Sequence, residues 1–186
     1  MIAVPYIAKE KIEEEAAHLL VEAYKGLNIA LDGPVDVETI IECYLGLSIS
    51  IATLDTEILG ALYLVNKLIE INERILPDND KRCTGVFNFT LGHEGGHYVM
   101  HAPPLAANDQ NVICRKSDEY LDIEWQANFF ASALLMPREP FIKAFNERYP
   151  ELIYRDAERL LIKCFADKNI AEKFNLKDKD FLKIQF

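Results

Sequence analysis

Cysteine is scarce in this chain and scattered. Cys43, Cys83, Cys114 and Cys164 form no paired C-x-x-C spacing, so they read as free thiols in a reducing compartment and the expected location is the cytoplasm. Basic residues are outnumbered, with 20 Lys and Arg against 30 Asp and Glu and a formal net charge of −10. They form no cluster, so no direct nucleic-acid binding is expected, whereas an acidic surface favours a basic protein partner. No apolar run approaches the roughly 18 residues that span a bilayer, which argues against a membrane role. The segment Met1–Tyr6 has neither the basic region nor the long apolar core of a secretory signal. Internal repeats, low-complexity stretches and convincing domain boundaries are also missing. With 186 residues, half of them apolar, the expectation is one domain over residues 1–186. A chain of that size buries on the order of 70% of its unfolded surface.

Histidine is rarer still, and its placement is informative. Of the four His in the chain, His93, His97 and His101 fall on one helical face within the stretch Phe89–His101. His93-Glu94-Gly95-Gly96-His97 is a His-Glu-x-x-His motif. Positions four apart on a helix lie on one face with Cβ atoms about 5–6 Å apart, so both rings can reach one ion through Zn–N bonds of about 2.0–2.1 Å. Glu94 sits about 100° further round the helix. That direction suits a base acting on a water beside the ion, and the arrangement is that of the zincins. Gly92, Gly95 and Gly96 each cost roughly 1 kcal/mol relative to Ala inside a helix. So poor a helix former must be held by its surroundings, by a metal or by a closely packed backbone.

Periodicity supplies the rest of the architecture. Residues 9–25 read as an amphipathic helix, with Ile12, Ala16, Leu19, Leu20, Ala23 and Leu27 on the buried face and Gly26 as a stop. His18 falls opposite that stripe and reads as a surface residue. Asp36 is placed to cap a second helix, with Val37, Ile40, Ile41 and Tyr44 on its apolar side, Cys43 as a small buried hydrophobe and Gly46 at its end. The period then changes. Runs at 47–52, 58–65 and 68–72 predict about three strands of a small antiparallel sheet, with Asn66-Lys67 as a tight turn. A polar loop over 76–85 leads to the motif helix, which should start between Gly85 and Thr90 and end near Ala102, before Pro103 and Pro104. The segment 102–117 reads as a loop on the rim of a cleft. Ser117 or Asp118 should cap the next helix, which runs to Met136, with further helical stretches near 138–148 and 151–174.

A zinc site of this type needs a third protein ligand and one open position. Glu124 shares a helix face with Ala127, Asn128, Ala131 and Leu135, small enough to let that helix approach the glycine-bearing motif helix. Asp122 shares its face with Trp125, Gln126 and Phe129, which would hold the helices apart, so Glu124 is the better candidate. His101 is the rival. Three successive turns of a straight helix spread over about 12 Å, too far for three rings to share one ion, so His101 is better placed beside the ligands, at the rim or as a helix-end charge.

The stretch Phe89–His97 resembles the motif of the ImmA/IrrE-type metallopeptidases, and Glu124–Pro137 is similar to their second signature. In that signature the acidic residue at Glu124's position is the third zinc ligand. Residues 34–49 resemble the family's opening helix and strand, so the resemblance covers about 34–140. The family usually has Ala and Leu where this chain has Gly92 and Gly95, a departure that touches helix stability and leaves the ligands in place. Members occur in bacteria, phages and mobile elements, and several cleave a DNA-binding repressor, often of helix-turn-helix type.

The combined expectation is an α+β, zincin-like single domain, a small antiparallel β-sheet packed beside a helix bundle that carries the motif helix. Its function would be zinc-dependent hydrolysis of a peptide bond in a specific protein partner, a repressor or regulator. His93, His97 and Glu124 would hold one Zn2+ per chain, a site that Mn or Fe can also occupy. Glu94 would be the general base. Asn128, His101, Tyr98 and the acidic residues near 118–122 are candidates for surrounding and orienting the ligands. Tyr98, His101 and Arg138 are candidate donors to a developing oxyanion. A zinc-stabilised interaction module, one half of a toxin–antitoxin or repressor pair, is the competing expectation, and a different metal hydrolase a third. No oligomeric state is implied.

Overall fold

The structure, a computed structural model, describes residues 6–30, 33–77, 81–102, 112–114 and 121–149. Two compact units divide the chain, Met1–Leu135 and Met136–Phe186.

In the first unit, α1 (Lys9–Leu27) buries Ile12, Ala16, Leu19, Leu20, Ala23 and Tyr24, the expected stripe with Tyr24 added and Leu27 only half-buried. It ends later than expected. Gly26 stays helical, and Asn28 takes the left-handed conformation at φ 54°, which a short polar side chain tolerates. His18 is exposed as expected. The hydroxyl of Tyr24 accepts the backbone N–H of Asp36 at 3.1 Å, tying α1 to the start of α2 (Val37–Thr39, continued by a π turn over Ile40–Tyr44). Asp36 caps α2 as its position implies, accepting from the Thr39 N–H at 3.1 Å and the Thr39 hydroxyl at 2.7 Å. Along the π turn Ile40 and Ile41 are fully buried, Cys43 faces solvent and Tyr44 is 40% exposed. Cys43 is thus an exposed free thiol, not the buried hydrophobe expected. Gly46 at φ 67° reverses the chain, a conformation glycine adopts without strain.

Among the described residues the sheet is mixed and has four strands, β1 (Ser48–Ala52), β2 (Gly60–Tyr63), β3 (Leu68–Asn72) and β4 (Val112–Cys114), in the order β1-β3-β2-β4. β2 and β3 form the expected antiparallel hairpin, Gly60 facing Ile71 and Tyr63 facing Leu68, with Lys67 at φ 48° in its turn. The expectation of a purely antiparallel sheet fails at β1. That strand runs opposite to β2, so when the hairpin returns β3 into the space between them, β3 and β1 are parallel, Ser48 facing Leu68 and Ala52 facing Asn72. Ile69 and Ile71, both fully buried, suit this central position. Asn72 is a buried polar anchor beside them. Its Nδ2 donates to the carbonyls of Leu54, Asp55 and Ile58 at 3.2, 3.2 and 2.8 Å, fixing the connection that delivers Gly60 to the sheet.

The motif helix α3 (Lys81–Gly96) continues as a π turn over His97–His101. It begins before the expected window because Gly85 lies inside the helix, where a glycine is tolerated at about 1 kcal/mol. α4 (Leu121–Leu135) buries Ile123, Gln126, Ala127, Phe130, Ala131 and Leu134 and packs against both α3 and α1. Its contact with α3 is as close as the small residues suggested. A Cβ on Gly92 would lie 3.3 Å from Ala131 Cβ and 3.4 Å from Ala131 Cα, while Gly96 abuts Phe130 and Gly95 abuts Ile41. The Trp125 and Phe129 face of α4 meets the N-terminal side instead, Trp125 against Tyr6 and Phe129 beneath the Lys9 ammonium.

β4 falls within the stretch expected to be a loop. The remainder of that stretch, the cap at Ser117 or Asp118, Asp122's side chain and the helical stretch 151–174 lie outside the described residues. In the second unit, α5 (Arg138–Arg148) follows Pro137, and Phe141, Phe145 and Tyr149 stack along one side. Among the described residues no helix is long and apolar enough to cross a membrane. The element set is that of an α+β, zincin-like fold.

Candidate metal centre

Two helices meet where three of the chain's four histidines lie. On α3, His93 and His97 are one turn apart and both buried, their rings edge to face with centroids 4.6 Å apart. Glu124, on the first turns of α4, reaches both from the opposite side. Glu124 Oε2 is 3.3 Å from His93 Nε2, Glu124 Oε1 is 3.3 Å from His97 Nε2, and the two Nε2 atoms are 3.0 Å apart. One donor atom from each of the three residues lies within 4.8 Å of the others. Bonds of about 2.0–2.1 Å from a tetrahedral ion separate its ligand atoms by about 3.3 Å, so the spacing fits a small divalent cation.

The far nitrogens of the rings are engaged as well, and this decides what the near ones can do. His93 Nδ1 is 3.0 Å from Asn128 Oδ1. With the amide presenting its oxygen, Nδ1 is the donor and Nε2 keeps its lone pair for an ion. His97 Nδ1 lies 3.0 Å from His101 Nδ1, and His101 Nε2 lies 3.4 Å from Gln126 Oε1. The donor set of two neutral imidazoles and a carboxylate is the one that zinc takes.

Electrostatics agree with the geometry. Burial acts to raise the Glu124 carboxyl, but protons carried by the His93 and His97 rings, in the place an ion would take, outweigh it through hydrogen bonds and charge and hold the group well below the usual carboxylate range. Glu124 is therefore an anion at neutral pH. Burial first, and the neighbouring His97 second, push His101 down to about 4, against the opposing pull of Gln126 and Glu124. His101 is a neutral ring, and both of its nitrogens are occupied, which removes it from the candidate oxyanion donors.

Glu94, 4% exposed, points toward the sheet. A Cβ added to Gly60 at the head of β2 would stand 3.0 Å from Glu94 Oε1, so the carboxylate lies against bare strand backbone. Tyr98 is half-buried and packs against the hydrophobic core. Arg138 is an exposed residue of the second unit.

The structure thus brings His93, His97, Glu124, Asn128 and His101 together. Two participants escaped the sequence reading. Gln126 was grouped with Asp122 and the two aromatics, yet it is fully buried and faces His101. Its signal was a polar residue on the apolar stripe of Ile123, Ala127, Phe130 and Leu134. Gly60 had none, since nothing local marks a strand that will press on a helix.

Among curated proteins, none matches this chain significantly. The family profile of the IrrE N-terminal-like domain (Peptidase_M78) matches residues 44–179, which spans both helices of the site and the sheet beside them. A metallopeptidase-type domain with a His-His-Glu cluster able to hold a metal ion is what this chain presents, and it belongs to the IrrE N-terminal-like peptidase family.

Proposed function

We propose that the protein is a zinc-dependent endopeptidase that hydrolyses a peptide bond in one specific protein partner, a DNA-binding repressor or regulator of a bacterial or mobile element. The observation that carries this reading is the convergence of His93 Nε2, His97 Nε2 and the Glu124 carboxylate, with the outer nitrogens of both rings already engaged. When bound, the ion supplies Lewis acidity, polarising the scissile carbonyl and acidifying water. Glu94 takes the water proton on a carboxylate oxygen and returns it to the leaving amine. Burial of Glu94 between α3 and β2 excludes competing solvent from that carboxylate. Asn128 and His101 hold the two rings in the orientation that binding needs. The acidic chain, at −10, favours a basic partner such as a DNA-binding protein.

Co-expression with the regulator encoded beside the gene tests the reading. Two discrete fragments are expected with the wild type, and mass spectrometry then gives the bond. An intact, stable complex with zinc-loaded wild type would overturn it in favour of an interaction module that acts by binding.

A further inference from the structure

Behind the cluster runs a chain of buried nitrogens and one amide, and with both rings neutral the contacts between them take one of two proton arrangements. His97 Nδ1 and His101 Nδ1 are 3.0 Å apart. Two aromatic nitrogens at that distance share one proton, so one is an N–H and the other a lone pair. If His97 Nδ1 carries it, His97 Nε2 keeps a lone pair toward His93 and Glu124. His101 Nδ1 is then the acceptor, and the proton of that ring is on Nε2, 3.4 Å from Gln126 Oε1. In the reverse arrangement every bond turns round. The Gln126 amide donates, His101 donates through Nδ1, and the His97 proton moves to Nε2, where it takes the lone pair out of the cluster.

Gln126 selects between them at the end of the chain, because its amide oxygen is the atom turned toward His101 Nε2 and an amide oxygen only accepts. We propose that Gln126 is a positioning residue for the metal centre: as the acceptor of the His101 Nε2–H it fixes the tautomer of His97 two rings away. α4 therefore supplies two things at once, the Glu124 ligand and, two residues on, the anchor for a ligand on the other helix. Gln126 suits that task because it is fully buried on the face of α4 that packs into the core, where no water competes for the bond. This proposal rests on the metal-centre reading above and adds a residue to it.

The test needs no substrate. Zn2+ affinity is measured by chelator competition for wild type, Gln126→Leu and Gln126→Glu, with folding checked by circular dichroism. Leu fills the space but cannot accept, so affinity should fall about 10–100-fold, the usual loss when a partner behind a ligating histidine is removed. Glu keeps an acceptor oxygen and should stay within a few-fold of wild type. An equal loss in both folded variants would mean that packing and not the acceptor matters, and the proposal would fall. Long-range 1H–15N correlation spectra of zinc-loaded wild type give an answer that does not depend on any variant folding. His97 should be protonated at Nδ1 and His101 at Nε2, and a His101 protonated at Nδ1 would overturn the assignment outright. Wild type that binds no zinc would instead sink the metal-centre reading itself, so the two failures are distinguishable.

Discussion

Gly60 keeps open the space in which the Glu94 carboxylate lies. A Cβ there would stand 3.0 Å from Glu94 Oε1, 3.2 Å from Glu94 Cγ and 2.7 Å from Thr90 Cγ2. Thr90 cannot swing aside freely. It is β-branched, and its hydroxyl is bonded to the Val86 carbonyl at 2.9 Å. In Gly60→Ala the displacement therefore falls on Glu94 or on the head of β2. We expect zinc content near one per chain and cleavage of the partner slowed by at least about tenfold, since misplacement of a catalytic group by about 1 Å can cost 10² in rate. The double variant Gly60→Ala/Thr90→Ser removes the nearest methyl and should recover part of the loss. Single-turnover cleavage with metal analysis on the same samples checks this, and an unimpaired Gly60→Ala would show that the strand can yield.

The helix interface around Gly92 sets two effects against each other. Replacing Gly92 by Ala gains roughly 1 kcal/mol of helix propensity, while the new Cβ meets Ala131 at 3.3 and 3.4 Å, a contact that a shift of a few tenths of an ångström relieves. The expected change in stability for Gly92→Ala is therefore within about 1 kcal/mol of zero. Gly92→Leu has no such room and should be destabilising by about 1–3 kcal/mol or more through overpacking. Denaturant unfolding of both variants without metal separates them. A Leu variant as stable as wild type would mean that α3 and α4 can part without cost.

Local chemistry and local periodicity were legible in the sequence, and relations across the fold were not. Asp36 is a cap by its own side chain, and Ile12, Ala16, Leu19 and Leu20 make a stripe by spacing alone, so both were read from the chain. His93 and His97 belong to one helix, and the small residues near Glu124 implied the close helix pair that Gly92 and Ala131 form. The parallel partnership of β1 and β3 depends on where a hairpin is inserted, which no residue within either strand records. Cys43 was misjudged because it was read from its residue type, although it lies off the face of Val37, Ile40 and Ile41 and is exposed. Gln126 was misjudged from its neighbours. Its neighbours Trp125 and Phe129 turn toward Tyr6 and Lys9, so the face on which it was placed is not the one that meets α3.

The ligand set makes a contrast between Glu124 and His101. Glu124 presents its carboxylate oxygens to both Nε2 atoms, whereas His101 meets His97 at that ring's far nitrogen. Glu124→Ala should lose zinc almost entirely after desalting, as should His93→Ala and His97→Ala, because a pair of ligands does not hold the ion against buffer. His101→Ala should still reach one zinc per chain at saturating metal, with affinity lower by about 10–100-fold. Elemental analysis and chelator titration give both numbers. The reverse order for Glu124 and His101 would mean that the third ligand has been misassigned.

The role of Glu94 is separable from metal binding because its carboxylate lies toward β2 while the imidazoles face α4. Glu94→Gln keeps the size of the side chain, and its amide oxygen can still lie beside Gly60, so fold and zinc content should be those of wild type. What disappears is the capacity to accept a proton. A general base contributes typically about 10²–10⁴-fold to rate, and cleavage of the co-expressed regulator should slow by at least about 100-fold on that basis, with binding of the regulator retained. The measurement is a cleavage time course with zinc determined on the same sample, since loss of zinc along with activity would assign Glu94 a structural role. A zinc-loaded Glu94→Gln that cuts within a few-fold of wild type would show that the proton goes elsewhere and that Glu94 is not the base.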